Sequence, residues 1–159
     1  MTKPISYLVG DATKPHDAGN KIIAHVCNDI GAWGKGFVLA LSKMSPLPEQ
    51  AFRRWYSERE QNDFALGSVQ FVQVSPEVMV ANIIGQHGIK SYRDTPPIRY
   101  AAVETALAIL CRKALDQKAS VHLPRIGCGL AGGEWRLIEP LIEKQLSAQS
   151  VPVFVYDLP

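Results

Sequence analysis

The chain has 159 residues, a length that fits one domain with a sizeable core. Hydrophobic residues make up 47% and charged residues 20%, which excludes disorder as the default state. The net charge is only +2 and the lysines and arginines are spread along the chain, so the concentrated basic stripe of a general nucleic-acid surface is missing.

Ile5 to Val9 reads as a short strand stopped by Gly10-Asp11, and residues 12–20, with Pro15 and Gly19, read as a loop. Lys21 to Val26 is a second strand, apolar enough to be buried on both faces. It runs into the glycine-rich turn Cys27-Asn28-Asp29-Ile30-Gly31-Ala32-Trp33-Gly34-Lys35-Gly36. Phe37 to Met44 is helix-compatible, and Pro48-Glu49 opens a longer helix with Ala51, Phe52, Trp55 and Tyr56 at helical spacing, aromatics suited to a core. Residues 69–74 and 78–84 read as two strands of a hairpin around Ser75-Pro76-Glu77. After Gly85-Gln86-His87-Gly88 and an irregular segment with Pro96-Pro97, Tyr100, Val103, Leu107, Leu110 and Leu115 mark a long amphipathic helix.

Strand 121–123 then enters a second glycine-dense turn, residues 124–133, with four glycines in seven residues from Gly127 to Gly133. Such a turn between a strand and a helix supports two readings, a cradle of backbone N–H groups for a phosphate or an ordinary tight connection. A helix through Ile138, Leu141, Ile142 and Leu146 and a last strand from Val151 to Tyr156 close the chain. The alternation predicts an α/β domain with a mixed sheet, parallel late in the chain. The strands ending at Val26, Ile84 and Leu123 are each followed by a glycine-bearing loop. If they are parallel, the three loops meet at one sheet edge and form a crevice.

The three cysteines, Cys27, Cys111 and Cys128, are odd in number and widely spaced. No C-x-x-C pair or cysteine–histidine cluster points to a metal, and no cofactor is implied. Met1 to Pro4 is polar with no leader pattern, and no stretch is long enough to span a membrane as a helix. These features together lead to the expectation of a cytoplasmic protein without a membrane partner.

Five segments resemble the macro domains, a family that binds ADP-ribose. Gly10-Asp11-Ala12-Thr13 is similar to the family's G-D-I-T loop, and His25-Val26-Cys27-Asn28 takes the place of its N-A-A-N motif, keeping the second asparagine. Gly31 to Gly36 resembles the catalytic glycine loop, Pro124 to Leu130 the phosphate loop, and Val155-Tyr156-Asp157-Leu158 the end of the domain. The resemblance spans residues 1–159. It is closest to the branch of the terminal ADP-ribose protein glycohydrolases and the ADP-ribose 1″-phosphate phosphatases. It implies a three-layer α/β/α fold around a mixed, roughly six-stranded sheet.

The resemblance also implies roles. Asp11 would accept from the adenine amino group beside the Ala12 backbone, although an Asx-type turn is the alternative, and Tyr156 would flank the adenine. Ile126, Gly127, Cys128, Gly129 and Leu130 would hold phosphates through main-chain N–H groups, with Cys128 otherwise a structural thiol. Trp33, Gly34, Lys35, Gly36 and Phe37 would line the other side of the pyrophosphate and the distal ribose. Asn28 would bond the distal ribose hydroxyls, and Gln86 and His87 would complete the catalytic end.

The family's usual catalytic groups are missing. Phe37-Val38 stands where some hydrolases carry an aspartate, Ala131 where the glycohydrolase branch has one, and Gly85-Gln86 where that branch has its lysine. His87 is the one local side chain whose unperturbed range suits acid–base work near neutrality. His25 suits a satisfied core histidine and Glu134 a helix cap. The resemblance thus implies an ADP-ribosyl-protein hydrolase acting on ester-linked mono-ADP-ribose by substrate-assisted water attack, or else a 1″-phosphate phosphatase or a reader of ADP-ribose. The expected partners are ADP-ribose and mono-ADP-ribosylated protein. A nucleic acid would qualify only as the carrier of ADP-ribose.

Overall fold

A computed structural model describes residues 4–159; Met1 to Lys3, the start of the polar segment expected to lack a leader, lie outside the described residues. Six strands form one sheet: β1 (Ser6–Val9), β2 (Lys21–Asn28), β3 (Val69–Gln73), β4 (Val78–Gln86), β5 (Ser120–Leu123) and β6 (Val153–Asp157). Their order is β1-β6-β5-β2-β4-β3. All neighbours pair in parallel except β3 and β4, which form the expected hairpin. β2 and β4 run two residues further than the apolar patterns suggested, so Asn28 and Gln86 end strands rather than begin loops.

The four helices α1 (Phe37–Met44), α2 (Leu47–Ser57), α3 (Tyr100–Gln117) and α4 (Trp135–Gln145) lie on both faces, because the central strands are apolar on both. Ile22, Ala24, Ala81 and Ile83 face α3 and α4, which return Val103, Leu107, Leu110, Ile138 and Ile142. Alternate residues Ile23, Cys27, Val80 and Ile84 face the other way, against Leu41 of α1 and Phe52 and Trp55 of α2. Period-two strands and helical stripes therefore produce two cores, the three layers of an α/β/α sandwich. Beyond α1 and α2, the second face over β5 and β6 is covered by the loop after β1, where His16 packs near Phe154.

Because β5, β2 and β4 are adjacent and parallel, their carboxyl ends open on one side of the sheet. The loops after these strands meet there.

Candidate functional site

A cavity of about 610 Å³ lies at that edge, walled by the ends of β2 and β4, the loop before α1 and the loop after β5. Among the predicted residues, Asn28, Gln86, Trp33, Gly34, Lys35 and Gly36 line it, as do Phe37, Ile126, Gly127, Gly129 and Leu130. Asp11, Ala12, His87, Cys128 and Tyr156 are not part of its lining.

Each wall is built by local bonds. The carboxamide of Asn28 braces the turn just after it: Nδ2 donates to the Ala32 carbonyl at 2.8 Å, and Oδ1 accepts from the N–H groups of Ile30 at 3.1 Å and Ala32 at 2.9 Å. Asn28 is thus buried as a brace for the glycine loop. Trp33 is only 5% exposed, packs against His25 and Phe52, and donates from Nε1 to Ser42 Oγ at 2.9 Å. Gly36, at φ 81°, turns the chain into α1, and the first residues of that helix join the wall. The positive end of the helix dipole is therefore part of the site.

The opposite wall folds on itself. The N–H of Gly133 donates to the Gly127 carbonyl at 2.7 Å and that of Gly132 to the Gly129 carbonyl at 3.1 Å, while the Ala131 carbonyl is taken by Ile98 N–H at 3.0 Å. Gly127 has φ 73°, and a Cβ there would lie 2.6 Å from Ile98 Cδ1. Among the described residues, the N–H groups of Gly127, Gly129 and Leu130 have no acceptor, nor do those of Gly34, Lys35 and Gly36 across the cavity. Two sets of unpaired amides on facing walls match an anion with several oxygens.

His87 departs from its expected place. Its ring, with the side chain 65% exposed, is turned onto Asp29, Nδ1 standing 2.7 Å from Oδ2. Asp29 Oδ1 also accepts from Gly88 N–H at 2.7 Å, and the Asp29 N–H donates to the Gln86 carbonyl at 3.1 Å. Asp29 therefore ties the end of β2 to the segment after β4 and holds the His87 ring outside the cavity lining. Gln86, on the wall, donates from Nε2 to the Gly88 carbonyl at 2.9 Å.

On the β1 side, Asp11 Oδ1 accepts from both the N–H and the hydroxyl of Thr13, at 2.8 and 2.7 Å. This is the Asx-type turn, and the Thr13 hydroxyl foremost holds the carboxyl below its ordinary range. Tyr156 is buried, its hydroxyl accepting from His16 N–H at 2.6 Å and lying 2.8 Å from His122 Nδ1. His122 stacks on Phe154 and reaches Ser120 Oγ at 2.7 Å through Nε2. Burial, its main influence, lowers the His122 pKa to about 4. Glu134 occupies the first position before α4 without a side-chain cap; its carboxylate meets Arg136 at 3.3 Å, correcting the capping role given to it.

Several lining residues were given no role in the site from sequence. Arg125 joins the cavity wall and grips Asp157 with two bonds of 2.7 and 3.0 Å, which raises its own pKa and lowers that of the carboxyl. Lys90 and Ile89 enter from the segment after β4. His25 and Cys27 form part of the floor. Asn82 Nδ2 donates to Gln70 Oε1 and to the Pro48 carbonyl, so its Oδ1 must accept from His25 Nε2–H, 2.6 Å away. Burial lowers His25 to about 4 and pushes the Cys27 thiol up, so the first is neutral and the second unreactive near neutrality. The half-buried Cys128 thiol is likewise raised by burial. The only advance signal for Arg125 was its place inside the phosphate-loop motif; Lys90 had none beyond its nearness to β4.

No family model matches the chain. A chromodomain-helicase-DNA-binding protein 1-like from Mus musculus is 32% identical over 165 residues, covering 98% of this chain, which spans only 18% of that protein. An ADP-ribose 1″-phosphate phosphatase of Candida albicans is 25% identical over 151 residues, 88% of this chain and 92% of that one. Thermosipho africanus DarTG, solved in complex with ADP-ribose, shares the fold at 19% identity over 99% of this chain and 42% of its own, with a TM-score of 0.77. A protein of unknown function from Bacteroides thetaiotaomicron is 54% identical over 98% of both chains, with a TM-score of 0.94. A macrodomain protein from Streptomyces coelicolor is 57% identical over 97% of this chain and 99% of its own, with a TM-score of 0.88. Near-complete coverage at that identity, with the fold shared as well, means that this chain belongs to the macrodomain family.

Proposed function

We propose that the cavity binds ADP-ribose and that the protein releases mono-ADP-ribose from acidic side chains of modified proteins. The observation that carries this reading is the pair of facing glycine loops with unpaired amides in a cavity whose lining includes no carboxylate. A pyrophosphate bridged between the two loops would satisfy those amides without a metal or a large basic patch.

The catalytic demand on the protein is modest. An ester of C1″ already carries a good leaving group. Water attacks C1″, the C1″–O bond breaks, its electron pair leaves with the carboxylate, and the proton of the water passes by way of a substrate phosphate oxygen to solvent. The chain's contribution is orientation: the brace at Asn28 holds the loop beside the distal ribose, and the amides fix the phosphates. The Candida albicans phosphatase, matched over 92% of its length, favours a second reading in which the same site cleaves a phosphate monoester at C1″.

The test pairs a calorimetric titration of ADP-ribose with an assay of ADP-ribose release from a glutamate-linked mono-ADP-ribosylated protein. Binding with release is expected. Binding without release, together with phosphate release from ADP-ribose 1″-phosphate, would replace the hydrolase by the phosphatase. Absence of binding would overturn both.

A further inference from the structure

The unpaired amides of residues 34–36 stand on backbone with little behind it. Gly34, Lys35 and Gly36 are exposed, and nothing lies within 4 Å of the Cβ position of Gly34. Their orientation is therefore set by the fixed points on either side, Trp33 before them and α1 after them. Those two points are joined. The indole N–H of Trp33 donates at 2.9 Å to the hydroxyl of Ser42, in the second turn of α1, so one side-chain bond staples the turn across its base.

Ser42 accepts there because Glu49 directs its proton. A serine inside a helix tends to turn its hydroxyl onto the carbonyl four residues back, here that of Val38. Instead the hydroxyl donates to Glu49 Oε1 at 3.1 Å, while Glu49 Oε2 accepts from Arg53 Nε at 2.8 Å. Chemistry fixes the direction of this chain: an indole N–H only donates, a carboxylate only accepts, and a hydroxyl does both. Glu49 belongs to a face of α2 that backs the glycine loop. Phe52, three residues on, packs against the Trp33 ring with centroids 5.4 Å apart, and the ring of Tyr56, seven residues on, fills the space that a Cβ at Gly31 would need.

We infer that Ser42 and Glu49 are positioning residues of the proposed site: acting through Trp33, they hold the turn at residues 34–36 in the shape that meets a pyrophosphate. This rests on the ADP-ribose reading and adds to it a control exerted from α2, behind the loop. Asn28 braces the first half of the loop, at Ile30 and Ala32, and the chain from Trp33 through Ser42 to Glu49 does the same for the second half. Neither Ser42 nor Glu49 lines the cavity, so their influence on a ligand passes through the indole.

The experiment records the indole N–H resonances of isotope-labelled, ligand-free protein and the calorimetric affinity for ADP-ribose, in wild type, Ser42→Ala, Glu49→Ala and Glu49→Gln. The resonance missing from Trp33→Phe identifies Trp33. Ser42→Ala should move that resonance, leave those of Trp55 and Trp135 in place, and weaken ADP-ribose binding by about tenfold, the scale of one lost hydrogen bond. Glu49→Ala should act in the same direction by about threefold, and Glu49→Gln, whose amide oxygen still accepts from Ser42, should bind like wild type. A Trp33 resonance unmoved in Ser42→Ala, or a moved resonance with undiminished affinity, would overturn the inference while leaving ADP-ribose binding intact. Equal losses in Glu49→Gln and Glu49→Ala would overturn the part given to Glu49 in favour of its surface ion pair with Arg53. Failure of wild type to bind ADP-ribose would overturn the ADP-ribose reading and the positioning role with it, even where the resonance moves.

Discussion

The hydroxyl of Tyr156 stands 2.8 Å from Nδ1 of His122, and both residues are buried. One arrangement satisfies every partner: the hydroxyl accepts from His16 N–H, donates to Nδ1, and leaves the Nε2 proton of His122 for Ser120 Oγ. The relay fixes the loop after β1, which also carries the Asp11–Thr13 turn, to the floor of the sheet.

Tyr156→Phe keeps the ring and removes the hydroxyl, leaving His16 N–H and His122 Nδ1 without their partner. Unfolding in urea should show a loss of about 1–3 kcal/mol, the cost of stranding buried polar groups. The affinity for ADP-ribose should fall as well, through the loosened loop. An unchanged midpoint would show that the hydroxyl is not what holds this segment.

Acid should weaken the fold through two histidines. His25 and His122 have pKa values of about 4 in the folded state, below their ordinary 6.5. Between those values the unfolded chain binds protons that the folded chain refuses. Their contribution is thus fully present above about pH 6.5 and is lost as pH falls towards 4. Each is worth roughly 3 kcal/mol over the whole interval, from about 1.4 kcal/mol per pH unit. Urea midpoints from pH 7 to pH 4 check this, and His122→Phe should flatten part of the slope.

Replacing Asn28 separates a brace from a ligand contact. In Asn28→Asp a carboxylate oxygen faces the Ala32 carbonyl, where an amide proton is donated in the native chain. Stability should fall by about 1–3 kcal/mol, even without ligand. A variant that lost ADP-ribose binding at native stability would place the carboxamide on the ligand instead.

Gly133 has no room for a side chain, because a Cβ there would collide with the Gly127 carbonyl. Gly133→Ala should therefore cost about 1–3 kcal/mol as an overpacked backbone contact, and weaken ADP-ribose binding by opening the loop. Gly129→Ala is the control for space, since nothing lies within 4 Å of its Cβ position. Thermal unfolding of the two variants side by side distinguishes them.

The elements and the crevice were legible in the sequence because both depend on local patterns. The apolar alternation of β2 and β4 and the spacing of Val103, Leu107 and Leu110 in α3 need no knowledge of distant residues. The glycines marked the turns, and parallel strands then forced those turns together. The side-chain work was less legible. The brace at Asn28 was hidden because its partners, Ile30 and Ala32, become visible only when the turn folds back. The partner of His87 was hidden because Asp29, 58 positions away, approaches it only through the pairing of β2 with β4. Asp157 reaches Arg125 across 32 positions for the same reason. Nothing in spacing announces a bond made by the register of a sheet.

Trp33 has one more consequence. Of the three tryptophans, it alone lines the cavity; Trp55 is bonded to Asp63 under α2, and Trp135 packs near Tyr7 at the β1 edge. A molecule settling between the glycine loops comes against one indole directly, while Trp135 meets the cavity only through Arg125, whose guanidinium lies over its ring. Occupancy should therefore register in the protein's own ultraviolet emission, a binding curve recorded without attaching a dye.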